Sequence, residues 1–379
     1  MEWGSDTDLI PSWVPSWEED ASGETRTSWE SGQDDLPNWD RAVFSEETGT
    51  LTMNCIDLNS LYALDAWCLA QIARILKNEQ EFTGYTEEYE QMKGLINNFL
   101  WNEADGFYYD RYWDGRFSKK KAASNFYPLI AKIPDQERAL LLKKRLLNED
   151  EYWGDFVVPT ISRDDSEFVD QDYWRGKIWS PTNYLIYQGL KAYGFDAVAS
   201  EFAKKSEELF MRSWMNFQLC PENFDSRTGE AGGQRYQSWG PLFALIALEE
   251  YMDFTPWDGF RFGMIQPERR GKLSRLFIQG RHYDIEVSRK RVKLREEGRV
   301  ILEANKAAVF RRFLYSESEV AFDVTTLKRM EIKINFLTKG RYQIEVDNQP
   351  AEIFEGRSTK FKIPVGEHIV LILLLEKKN

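Results

Sequence analysis

The apolar pattern of this 379-residue chain changes period once, near residues 258–270, and that change limits the folds open to it. Before it, apolar residues recur at the three-and-four spacing of helices. After it they alternate or are β-branched, as in strands. From Asp57 to Lys77 apolar residues fall at Leu58, Leu61, Tyr62, Leu69, Ile72 and Leu76, a helical spacing. Ala66, Trp67 and Cys68 add a second apolar side, so this helix reads as sandwiched between layers. The same spacing predicts helices near 84–101, 119–132, 135–147, 180–193, 197–215 and 240–252. Gly194 followed by Asp196 predicts one helix stopping and the next being capped. Pro241 suits a first helical turn. Residues 1–50 read as ordered loop with short turns. HYDIEV (282–287), EVAFDV (319–324), MEIKINF (330–336), RYQIEV (341–346) and HIVLILLL (368–375) predict a β-sandwich of about eight strands. The expected division is 1–258 helical and 259–379 all-β.

Composition removes several function classes. The formal net charge is −13. A phosphate backbone wants a basic face, and the first 250 residues offer none. Residues 266–312 are richer in Lys and Arg and read as strand surface, so no nucleic-acid partner is expected. Three cysteines, Cys55, Cys68 and Cys220, form neither a disulfide framework nor a CxxC metal site. The N-terminal stretch lacks the basic and apolar regions of a signal peptide. Even an apolar run such as Ile369 to Leu375 is too short to span a bilayer. No membrane partner is expected, and the chain as given reads as cytoplasmic. The only two His, His282 and His368, lie late in the chain, so the helical part holds no Ser-His-Asp or His-zinc hydrolase. Hydrolytic chemistry there must run on carboxylates. The 14 Trp lie before position 258. Trp clusters fill cores, and they also line sugar sites, where an indole stacks on the apolar face of a pyranose.

Three loops between the helices carry chemistry-bearing residues. TSWESGQDDLPNWD (27–40) crowds Glu30, Asp34, Asp35 and Asp40 beside Trp29, Gly32, Gln33 and Trp39. Carboxylates crowded against aromatic surface gain a raised pKa, as a general acid needs. A solvated acidic loop with two anchoring Trp has the same composition. YWRGKIWSPTNYLIYQGL (173–190) leads Tyr173, Trp174, Arg175, Gly176 and Trp179 into a helix that includes Asn183. Packed aromatics at a helix entry look alike. PENFDSRTGEAGGQRYQSWGPL (221–242) places Glu222 after a helix in a Gly-rich loop, followed by Tyr236 and Trp239. Glu222 alone fits a functional and a solvated carboxylate equally.

Together the three loops resemble glycoside hydrolase family 63 and its relatives: trehalases, mannosylglycerate hydrolases and processing α-glucosidases on the six-hairpin (α/α)6-toroid. The family's acid lies in a stretch like E-S-G-W/M-D, matched by ESGQD, which carries that role to Asp34. Gln33 stands where Trp or Met is usual, and Asp35 where Asn is common. Tyr173, Trp174, Arg175, Gly176, Trp179, Asn183 and Leu185 match the family's Y-W-R-G-x-x-W segment along the sugar subsite. Glu222, Asn223, Phe224, Asp225, Thr228, Gly229 and Trp239 match the stretch around the family's base, which carries that role to Glu222. LWNEADGFYYD (100–110) is similar to the family's helix-end loop. The resemblance covers residues 29–255.

What it implies is an inverting glycosidase for an α-linked glucoside or mannoside, with no metal or organic cofactor. One carboxylic acid protonates the leaving oxygen while a carboxylate activates water on the opposite face, the two standing about 6.5–9.5 Å apart. Trp29, Glu30, Gln33, Trp39, Tyr173, Trp174, Arg175, Gly176, Trp179, Asn183, Tyr236 and Trp239 would bind the sugar. Arg175 would hold sugar hydroxyls or the neighbours of Glu222, and Trp174, Trp179 and Trp239 would form walls. A closed toroid needs twelve helices, and about seven are predicted here. The chain therefore reads as the C-terminal part of a toroid, with association with a missing N-terminal half, or self-association, as the implied partner. The alternatives are a non-catalytic carbohydrate-binding fragment, a split subunit, and a lyase or phosphorylase on the same frame. A lyase wants a Tyr or His base, and a phosphorylase wants a phosphate pocket.

Overall fold

The computed structural model describes residues 1–5, 16, 20–268 and 270–378. Part of the loop predicted for 1–50 lies outside the described residues. The fold is mixed: seven α-helices, two 3-10 helices and one large antiparallel sheet among the described residues. It divides into two compact units. One comprises Met1–Phe195 and Lys205–Ala244, the other Asp196–Lys204 and Leu245–Asn379. No helix is long and apolar enough to cross a membrane among the described residues.

In the first unit a helix absent from the sequence-based reading, α1 (Gly23–Glu30), precedes the acidic loop. It has no apolar stripe to reveal it. Thr27 and Ser28 are buried instead, and their hydroxyls donate to the carbonyls of Gly23 (2.8 Å) and Thr25 (2.7 Å). The Ser22 side chain caps it by accepting from the Thr25 N–H. Helix α2 (Ile56–Ile75) forms where predicted, but its buried face differs from the expected one. Ala63, Ala66, Ala70 and Ala73 point inward, whereas Tyr62, Ile72 and Leu76 are exposed. Small residues let the helix approach its neighbours, α3 (Glu79–Phe99) and the 3-10 helix Ala123–Leu129.

That 3-10 helix stands where an α-helix over 119–132 was predicted. Pro128 removes one N–H from it, and all seven of its residues are buried. Helix α4 (Gln136–Leu146) is capped by Asp135, whose carboxylate accepts from the Arg138 N–H at 2.8 Å. Helix α5 (Ser180–Ala192) carries Pro181 in its first turn. Gly189 within α5 faces Leu129 so closely that a Cβ there would lie 2.7 Å from the Leu129 Cβ.

Helices α6 (Asp196–Phe217) and α7 (Leu242–Tyr251) follow. Gly194 stops α5 with a positive φ of 67°, as predicted. Asp196 does not cap α6, because the N-cap is Phe195 and no side chain bonds there. Its carboxylate is buried against Arg261 (3.3 Å) and Arg311 (3.1 Å), all within the second unit.

Among the described residues the second unit is built on eleven strands rather than about eight, β9 (Met252–Thr255) to β19 (Gly366–Lys377). They join in one hydrogen-bonded antiparallel sheet, which begins before Trp257. Its longest strands, β17 (Met330–Val346) and β18 (Gln349–Ile363), form a hairpin through Asp347-Asn348. Both turn residues have positive φ, 53° and 60°, the geometry Asn and Asp tolerate in tight hairpin turns. Alternation along β17 sends Met330, Ile332, Ile334 and Phe336 into one core with Phe262, Phe310 and Phe322.

Candidate active site

Glu222 sits immediately before β7 (Asn223–Phe224), which pairs with β8 (Ala231–Gly232). Each of its carboxylate oxygens accepts one bond. Oε1 takes the Tyr173 hydroxyl at 3.1 Å, and Oε2 takes the Gln234 N–H at 2.8 Å. Its carbonyl accepts the Trp239 indole N–H at 3.1 Å. The carboxylate is therefore fixed, with only 8% of the residue exposed. A backbone bridge between Ile178 and Phe224 ties this loop to the Tyr173 segment.

Asp34 emerges from α1 through Gly32, whose φ is 67°. Burial holds its carboxyl above the ordinary carboxylate range. Its own backbone N–H opposes that shift, and the charges of Asp35 and Glu222 add to it. Tyr173 lies under the influence of both carboxylates. Burial first, then the charges of Glu222 and Asp34, push its hydroxyl well above the usual phenol range. The structure thus brings Asp34, Tyr173 and Glu222 into one electrostatic neighbourhood. Tyr173 also has a positive φ of 31°, a conformation that an L residue holds only under constraint.

The other expected site residues divide in two. Trp174 and Trp179 stack at 4.0 Å and 13°, and both are buried (4% and 1% exposed). They form the packed base of the loop, with Tyr173 edge-on to Trp179 at 5.0 Å. Trp39 is buried too and donates its indole N–H to the Gln33 carbonyl at 2.8 Å. Asn183 spends its amide on the backbone of Val158 and Trp179. Gly176 has φ 105°, and a Cβ there would lie 2.9 Å from the Phe168 carbonyl. Trp29 and Trp239 are half-buried, while Glu30 and Tyr236 are exposed.

Arg175 reaches three carboxylates: Asp40 (2.5 and 3.1 Å), Glu167, and Asp35 at 3.7 Å. Asp35 also accepts the Trp174 N–H at 2.8 Å, which binds the acidic loop to the Tyr173 segment. Gln171 went unnoticed in the sequence. It is buried and donates to the carbonyls of Phe168 and Gly176, and its Oε1 accepts from the N–H and hydroxyl of Ser226. No motif marks it, because its role is to join loops that are distant in sequence.

Asp57 was equally invisible. It is 2% exposed, and burial, with the Asp110 charge second, pushes its carboxyl up to about 7. A folded-state pKa raised above the ordinary 3.8 means that the native state holds a proton the unfolded chain releases. Asp57's contribution to stability is therefore full below about pH 4 and is lost as pH rises through 7. The stability difference between the parent and Asp57→Asn should move in the variant's favour from pH 5 to pH 8 in thermal melts. A difference that is flat with pH contradicts this.

A glycoside hydrolase domain is what this chain matches. In particular, it belongs to the mannosylglycerate hydrolase MGH1-like glycoside hydrolase family, whose model matches residues 8–240, more than half of the chain. It is 32% identical over 153 residues to a mannosylglycerate hydrolase of Thermus thermophilus, covering 39% of this chain and 34% of that enzyme. It is 29% identical over 223 residues to one of Rubrobacter radiotolerans, covering 56% and 47% respectively. The chain spans about a third of the length of the first of these enzymes and about half of the second. Among solved structures, a sialidase matches with TM-score 0.57 and 16% identity over 67% of this chain and 26% of that one, a likeness of fold alone.

Proposed function

We propose that this chain carries the acid and base of an inverting glycoside hydrolase acting on an α-linked glucoside or mannoside. Asp34 is the proton donor, and Glu222 is the base that activates water. The observation that carries the proposal is the convergence on Tyr173: its hydroxyl bonds Glu222 and its ionisation feels Asp34. Burial that favours the protonated form suits Asp34 to donate, and two hydrogen bonds suit Glu222 to stay aimed. The half-buried Trp239 offers a sugar an aromatic face. On this reading the helical unit belongs to an (α/α)6-toroid, and the β-rich unit, whose sheet starts at Met252, is an accessory domain. The share of its relatives' length that the chain spans motivates a second reading, a carbohydrate-binding fragment or split subunit that acts with another polypeptide. A panel of α-glucosides and α-mannosides, mannosylglycerate among them, tests both. Cleavage by the chain alone supports the first, and calorimetric binding without cleavage supports the second.

Gly233 gives a sharper check. Its φ is 67°, and a Cβ there would collide with the Glu222 carboxylate and lie 2.8 Å from the Glu222 Cβ. Gly233→Ala should lower turnover about as far as removing the base itself. It should also cost about 1–2 kcal/mol in a melt from the left-handed backbone alone. Unchanged turnover would contradict Glu222 as base.

A further inference from the structure

The loop that presents Asp34 is anchored by two buried carboxylates from other segments. On one side Gln33, 5% exposed, donates its Nε2 to Asp57 Oδ2 at 2.7 Å. On the other Asn38, 1% exposed, donates its Nδ2 to Asp110 Oδ2 at 2.5 Å. Neither acceptor is free to drift. Asp57 Oδ1 also accepts the Leu58 N–H at 2.7 Å, and the Trp3 indole N–H reaches both Asp57 oxygens at 3.1 and 3.2 Å. Asp110 Oδ1 accepts the Ile56 N–H at 2.8 Å. Both carboxylates are thus bolted to the start of α2.

Gln33 is the hub on the loop side. Its N–H donates to the Ser31 hydroxyl at 3.0 Å. Its carbonyl accepts the Leu36 N–H at 3.0 Å and the Trp39 indole N–H at 2.8 Å. Any rotation of Gln33 therefore turns the peptide that carries Asp34. A buried carboxylate is costly unless it is paired or hydrogen-bonded, and two of them lie beneath one short loop.

We infer that Asp57 is a positioning residue for the general acid, acting through Gln33 to set the backbone and carboxyl direction of Asp34. This rests on the reading of Asp34 as acid. The titratable groups around Asp57 are Asp110, the Cys55 thiol and the Tyr127 hydroxyl. The charge of Asp57 is not among the influences on Asp34, so its effect travels through geometry.

The test uses the full chain with carboxyl-13C aspartate, the Asp34 resonance being assigned by its loss in Asp34→Asn. Gln33→Met, Asp57→Asn and the double variant are titrated by NMR and assayed on 4-nitrophenyl α-mannoside and α-glucoside. The Asp34 midpoint should move by about half a pH unit or more in each single variant. kcat should fall about tenfold to hundredfold with KM held. The double variant should be no worse than the worse single one. Gln33→Met removes no charge and changes side-chain volume little, so it decides the matter even where Asp57→Asn fails to fold. An unmoved Asp34 midpoint in folded Gln33→Met, or additive losses in the double variant, overturns the inference. A parent that hydrolyses neither glycoside counts against the functional reading, and the NMR arm still decides the positioning role.

Discussion

Glu222→Gln should lower kcat by about two to four orders of magnitude while the chain stays folded. Gln keeps the size of the side chain and can still accept the Tyr173 hydroxyl on one atom. What it loses is the ability to take a proton from water. Its amide also sets a donor against the Gln234 N–H, which now bonds Oε2 at 2.8 Å, so about 1–3 kcal/mol of stability should go with it. Asp34→Asn should lose a comparable factor with leaving groups that need a proton. The two losses should not add, because the carboxyls act on one transition state. The pH profile carries a further sign. As the proposed proton donor Asp34 must be protonated, so turnover should fall as pH rises through its raised pKa. Substantial activity in either variant, measured as kcat on a substrate the parent cleaves, contradicts the pairing.

The largest expected change in stability lies elsewhere, at Arg261 in the β-rich unit. Its guanidinium bridges Asp196 (3.3 Å) and Glu250 (3.1 Å), and the two acidic side chains are 1% and 0% exposed. Arg311 meets Asp196 from another strand and also reaches Glu367. Removing one partner from a buried ion cluster leaves charge undercompensated, at a cost of about 3–5 kcal/mol. Arg261→Met should therefore lower the denaturation midpoint markedly. Arg312→Ala is the contrast. Arg312 pairs with the buried Asp323 from a side chain that is 60% exposed, so water still reaches its guanidinium and the loss should be smaller than at Arg261. Equal effects from the two substitutions would contradict the weight given to burial.

The elements with strong periodicity were legible: α5 and the alternating strands read directly from residue spacing, and α2 did so in position but not in its buried face. Those held by polar contacts were not. Helix α1 buries Thr27 and Ser28, which no apolar template detects. Asp196 matched a helix cap by spacing alone, and long-range ion pairs claimed it instead. The expected sugar walls Trp174 and Trp179 turned out to face each other, because composition cannot tell a stacked core pair from an open platform. Motif resemblance pointed to the segments of Asp34, Tyr173 and Glu222, but not to Gln171 or Asp57. Those two work by joining loops, and a join between distant loops leaves no local pattern.

The central claim is that Asp34 and Glu222 act as acid and base on opposite faces of the scissile bond. Its most direct test is a proton NMR time course of an α-linked substrate with the parent chain, read before mutarotation. The β-anomer appearing first is the predicted result. The α-anomer appearing first would contradict the account, since it requires a covalent intermediate and a nucleophile in place of a base.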